Sequence, residues 1–185
     1  MKFISIIVLG IAFGLLPVNG QDYNSNCLKT ICKKIKTIDP VGNDFTDLNF
    51  LKKDLKGAEI VLLGEQAHGD GSSFAAKSRL AKFLHQEMDF DVLVFESSIL
   101  DCKLAWDEIK SGSDPFIAFG KGVFKFWSVS EHTTEIIKYI GKQANTNKPL
   151  ELAGFDLQFS GMIKPEERAR AITDFLKKGT VLKNK

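Results

Sequence analysis

Glu65 and His68 stand three residues apart in Gly64-Glu65-Gln66-Ala67-His68-Gly69, directly after the apolar run Ile60-Val61-Leu62-Leu63. A neutral imidazole takes a proton from water near pH 7, and a carboxylate on its other ring nitrogen fixes the tautomer and stabilises the imidazolium. Two carboxylates and a histidine equally suit the ligand shell of a divalent metal, so both chemistries stay open. Two more acids follow apolar runs in the same way: Glu96 after Val92-Leu93-Val94-Phe95, and Asp156 after Gly154-Phe155. If those runs are neighbouring parallel strands, their carboxyl ends share the edge where open α/β sheets place ligand crevices. Three acids and His68 are therefore expected on one rim. The plainer alternative has Glu65 and Glu96 capping helix starts and His68 in solvent, and it suits one such acid better than three.

The elements that would carry these groups are legible from periodicity. Ile60 to Leu63 is short, apolar and partly β-branched, the pattern of a strand buried on both faces. A helix is expected from about Ser73 to Glu87, with Leu80, Ala81, Leu84 and Met88 on its apolar face. Ser72 and Ser73 are the expected N-cap. Strands at Val92 to Phe95 and Leu150 to Phe155 follow, with helices at Leu104 to Lys110, closed by Gly112, and at Ser130 to Gln143. A last, charged helix is expected from about Pro165 to Lys178. Strand, helix and strand at this spacing form a βαβ crossover. The fold class is α/β: a partly parallel sheet with flanking helices, built from βαβ units.

The chain of 185 residues begins with Met1-Lys2, an apolar run from Phe3 to Leu16, and Pro17-Val18-Asn19-Gly20 before Gln21. That is the layout of a secretory signal peptide over 1–20, too short to span a bilayer, which takes about 20 apolar residues. Export to a periplasmic or extracellular space follows, with no membrane contact expected after cleavage. Residues 21–57 form a mixed helical and irregular segment, with a candidate helix at Cys27 to Ile35 and a turn at Pro40-Val41-Gly42-Asn43, and 58–185 the α/β domain. With 25 basic against 23 acidic residues there is no basic stripe, so nucleic acid is a poor partner. Three cysteines allow one intramolecular disulfide, for which Cys27 and Cys32 are the expected pair, leaving Cys102 as a buried small hydrophobe.

The remaining candidates are weighed against simpler roles. His85, beside Leu84 in a helix, reads as structural or solvent-facing, and His132 as an exposed residue of a first helical turn. Trp127, with Phe124 and Phe126, can wall a hydrophobic cleft or belong to the core. Ser97-Ser98 lack a Gly-x-Ser-x-Gly elbow, which argues against a serine nucleophile.

The stretch Gly64-Glu65-Gln66-Ala67-His68-Gly69-Asp70-Gly71, with Ala76 to Leu80 and Phe83 to Met88 after it, resembles the N-terminal signature of the erythromycin esterase family. Val94-Phe95-Glu96-Ser97, Phe126-Trp127 with Glu131, and Gly154 to Gln158 resemble later motifs of that family, in the family's order. The resemblance implies a hydrolase of ester or lactone bonds, the best-known activity being the opening of a macrolide ring, an antibiotic-resistance reaction. It implies His68 as the general base, Glu65 and Glu96 as carboxylates orienting and polarising water, and Lys77 as a basic residue near the substrate. Trp127 and Asp156 join Lys77 as candidate substrate contacts, and no resident cofactor is implied. A non-catalytic module holding a divalent metal or a ligand on the same rim is the competing reading. The chain departs from the family pattern at Ser72 and Ser73, where a glutamate is commoner, and matches nothing of its later histidine-bearing part. The resemblance thus implies that the chain carries the first part of the family domain.

Overall fold

The computed structural model describes residues 32–65 and 67–183. The predicted leader, the cleavage site, Cys27 and the terminal Asn184-Lys185 lie outside the described residues. The helix expected from Cys27 falls mostly outside them, and its described end, 32–35, is not helical. The chain divides into two compact units, 1–34 and 35–185. All regular elements among the described residues belong to the second.

A short 3-10 turn, Thr46–Leu48, leads into α1, Phe50–Asp54. The long helix α2, Gly71–Met88, begins two residues before its predicted start. Its N-cap is Asp70, whose carboxylate accepts the Ser72 N–H at 3.1 Å and the Ser73 hydroxyl at 2.6 Å, so the serines donate to the cap and do not form it. The cap thus sits two positions before Ser72, and Gly71 begins the helix so close to the His132 ring that a β-carbon there would clash with it. The helix closes on Asp89 in left-handed backbone at φ 61°.

After α2 come β1, Val92–Ser98, and α3, Ile99–Lys110, which ends at Gly112 with φ +94° as a helix-closing glycine should. Then follow α4, Pro115–Gly122, α5, Lys125–Ser128, a 3-10 turn at Glu131–Thr133, and α6, Thr134–Gln143. The last two elements are β2, Glu151–Asp156, and α7, Pro165–Lys183. β1 and β2 are parallel, in register from Val92 with Glu151 to Phe95 with Gly154, with an irregularity before Ser98 meets Asp156. The α/β class holds in a coarse form: a helix-rich fold around a two-stranded parallel sheet.

The predicted strand at Ile60 to Leu63 is corrected. The segment runs beside β1 without entering a ladder, and Ile60 and Leu62 are 78% and 89% exposed. A strand of continuous apolar residues is stable only between two covering layers. Here helices cover one face alone, so the same one-sided burial runs through β1: Leu93 and Phe95 turn inward while Val92 and Val94 face out. On the covered face Phe119, Ile136, Ile140 and Leu152 form the core with Cys102 and Ala105. Burial pushes the Cys102 thiol up to about 12, as befits a packed, unreactive sulfur.

α2 buries more than its apolar stripe, because its polar residues on that side are partnered. Lys82 donates to the carbonyls of Pro40 and Gly42 at 2.7 and 3.2 Å. His85, 2% exposed, bonds through Nδ1 to the Tyr139 hydroxyl at 2.5 Å, which settles its role as structural. Burial, reinforced by nearby Lys148 and opposed by Asp91, lowers the His85 pKa from 6.5. The unfolded chain therefore takes up that proton first, and folding stability falls as the pH drops below 6.5. Urea midpoints from pH 8 to 5 should show this decline in the wild type and a shallower one in His85→Gln. Equal slopes would show that His85 does not carry it.

Candidate active site

Glu65 ends the extended segment that follows α1, and His68, three residues on, faces its carboxylate. Gly69, at φ +91°, a conformation side-chain-bearing residues seldom adopt, lies in the turn 67–70 that carries the chain from His68 into α2. His68 Nδ1 lies 3.2 Å from Glu65 Oε1. An ionised carboxylate only accepts, so the neutral ring carries its proton on Nδ1 and leaves the Nε2 lone pair free. The other carboxylate oxygen lies 3.6 Å from Lys77 Nζ, on the first turns of α2. Glu65 is thus held from two sides with its side chain 15% exposed, while that of His68 is 51% exposed.

Two aromatic rings fix the imidazole further. Phe126 stacks on it with centroids 5.1 Å apart and planes 10° from parallel, and Trp127 meets it edge-on at 5.8 Å. α5 presents both rings, and Phe124 braces Phe126 from the side at 5.1 Å. Phe126 is 47% exposed, so core burial does not explain its position.

Beside this pair opens a cavity of about 230 Å³ lined by Glu65, Lys77, Glu96 and Trp127 together with apolar side chains. Trp127 serves both of its expected roles, since it is 7% exposed within the core and also forms cavity wall. Glu96 is exposed and makes no ion pair among the described residues, so one negative charge at the mouth stays uncompensated.

Two of the three strand-end acids share this cavity and the third does not. Asp156 accepts the Gln158 N–H at 3.0 Å in the loop after β2, while the preceding Phe155 reaches the cavity lining. His132 is half exposed, its Nε2 3.6 Å from Glu131. Among the described residues no three of His, Cys, Asp and Glu are grouped to hold a metal ion. No helix among them is long and apolar enough to cross a membrane.

The sequence reading missed Phe126 as the stacking partner of His68, and it missed a second face of α2. Phe74, Lys77, Ser78 and Ala81 all line the cavity. Their spacing of i, i+3, i+4 and i+7 was a readable signal, obscured because Lys77 and Ser78 break its apolar character.

No family model matches the chain. Over 112 residues, 60% of its length, it is 39% identical to a protein of Bacillus subtilis (strain 168) named "Putative hydrolase YbfO", of which the match covers 25%. A crystal structure of a Bacillus cereus protein superposes with a TM-score of 0.63 at 24% identity, covering 72% of this chain and 32% of the other. The crystal structure of a succinoglycan biosynthesis protein superposes with the same TM-score of 0.63 at 28% identity, covering 75% of this chain and 36% of that one. The chain spans a quarter to about a third of the length of these proteins. It shares a fold with the two solved structures, and a stretch of sequence with a protein whose name calls it a hydrolase.

Proposed function

We propose that the protein is an exported hydrolase in which His68 activates water to attack an ester or lactone carbonyl. The observation that carries this reading is the Glu65–His68 pair, 3.2 Å apart at the side of a partly apolar cavity, with Nε2 left free. His68 takes the proton of the attacking water as the new C–O bond forms, and the tetrahedral intermediate collapses as the leaving alcohol recovers a proton from the imidazolium. Glu65 holds the Nδ1–H tautomer and stabilises the imidazolium. Lys77 holds Glu65 and brings positive charge toward an oxyanion, and Glu96 orients the water from the opposite wall. The resemblance to the erythromycin esterase family and the sequence shared with the Bacillus subtilis protein support the same chemistry. Hydrolysis of aryl esters and lactones by the purified protein, compared with His68→Ala, tests it.

The Phe126 stack belongs to this reading. An aromatic pair contributes about 0.5–1.5 kcal/mol beyond burial. Phe126→Leu should therefore lower kcat by roughly 2- to 12-fold with KM little changed, and Phe126→Tyr should restore it. The His68 ring protons should lose their ring-current shift in the leucine variant. Wild-type kcat in Phe126→Leu would exclude a positioning role.

A further inference from the structure

α5 is four residues long, and a helix shorter than about 12 residues does not hold itself together in water. Burial of Trp127 keeps this turn against the core, where its ring packs beside Phe95 with centroids 6.2 Å apart. Burial is non-directional, however, and does not fix the rotation of the turn about its own axis. Phe126 points about 100° around that axis from Trp127 and covers the imidazole face at one rotation only.

Two buried hydroxyls from outside the helix set that rotation. At its start, Ser97 Oγ accepts the N–H of the N-cap residue Phe124 at 2.9 Å. At its end, the Thr133 hydroxyl lies 2.7 Å from the carbonyls of Trp127 and Ser130. Hydrogen bonds weaken steeply away from their preferred angles, so a single turn bonded at both ends is held in one orientation. Ser97 directly follows Glu96 in β1, and Thr133 follows His132, whose ring packs against Gly71 at the start of α2. The two bonds therefore register the aromatic pair to the elements that bring Glu96 and Lys77 to the cavity. The adjacent serines have separate roles: Ser98, also buried, caps α3 by accepting the Asp101 N–H at 3.2 Å and does not bond to α5. Resting on the hydrolytic reading, we infer that Ser97 and Thr133 are positioning residues of the reaction, which hold the α5 platform and act on His68 only through it.

The test measures p-nitrophenyl acetate hydrolysis by the full chain and follows the His68 ring protons by NMR, identified by their absence in His68→Ala. Ser97→Ala and Thr133→Val should each lower kcat within the roughly 2- to 12-fold range set by loss of the aromatic stack, with KM little changed. Both should move the His68 ring protons toward their positions in Phe126→Leu. Thr133→Ser, which keeps the hydroxyl, should retain the wild-type kcat and shifts. Ser98→Ala is the control: it removes an equally buried hydroxyl from the adjacent residue, and should lower the urea midpoint while leaving kcat and the ring shifts unchanged. Unmoved ring protons in folded Ser97→Ala and Thr133→Val, or an equal loss of kcat in Ser98→Ala, overturn the inference. Should Ser97→Ala not fold, the contrast between Thr133→Val and Thr133→Ser decides by the same readings. If the wild type cleaves no ester, the hydrolytic reading fails, and the ring shifts decide the platform separately. Displacement by Ser97→Ala but not by Ser98→Ala supports it, and no displacement removes it.

Discussion

Replacing His68 by alanine is expected to cut ester hydrolysis by about 10²- to 10⁴-fold, the usual contribution of a positioned general base. The loss should fall on kcat, because His68 acts on the water and the cavity that would bind substrate lacks His68 in its lining. The fold should survive, since the His68 side chain is 51% exposed and touches only the exposed Phe126, the edge of Trp127 and one carboxylate among the described residues. Thermal unfolding and circular dichroism of the variant should match the wild type. Added imidazole should restore part of the rate by occupying the slot between Phe126 and Trp127. Turnover within a few-fold of wild type in a folded His68→Ala protein would remove the mechanism.

The largest expected effect on stability comes from Asp47→Ala. Arg79 and Asp47, with side chains each 3% exposed, form a two-pronged pair at 2.6 and 3.3 Å. Arg79 also donates to the carbonyls of Thr37 and Asp44 at 3.0 and 2.7 Å, and Asp47 accepts the Lys36 N–H at 2.6 Å. The guanidinium thus ties residues 36–47 to α2. Breaking such a pair from one side strands a buried charge and costs about 3–5 kcal/mol, a large share of a domain's typical 5–15 kcal/mol. Urea unfolding measures it. The double variant Asp47→Ala/Arg79→Met should recover much of the loss, because no charge is then left buried. A single-variant loss under about 1 kcal/mol, below the range for a buried pair, would show the pair to be solvated. The Arg79 hydrogen bonds also hold the Asp47 carboxyl down at about 2. Its contribution is therefore complete above the ordinary value of 3.8 and disappears as the pH falls through 2.

Four of the expected helices, α2, α3, α6 and α7, were readable to within about five residues because their signals are local, whereas α1, α4 and α5 were not anticipated. Gly112, Pro165 and the apolar spacing of α2 and α6 each act within a turn or two. The strands were readable as apolar runs, but a run does not say how many layers will cover it. Ile60 to Leu63 and Val92 to Phe95 look alike in sequence, and only the second joins a ladder. Arg79, Lys82 and His85 read as polar positions of an amphipathic helix. They are buried because Asp47, the carbonyls at Pro40 and Gly42, and Tyr139 bond to them from distant parts of the chain, although His85 Nε2 has no partner among the described residues.

The same division runs through the candidate site. The sequence by itself set Glu65 and His68 three residues apart at the close of an apolar run, near enough to meet within one turn. Only the tertiary structure decided that Glu96 would share their cavity while Asp156 would not, and that Phe126 would cover the imidazole face. Those outcomes depend on the course of the loop after β2, which engages Asp156, and on the docking of α5 beside β1. Both are set by long-range packing, which a short stretch of residues does not encode.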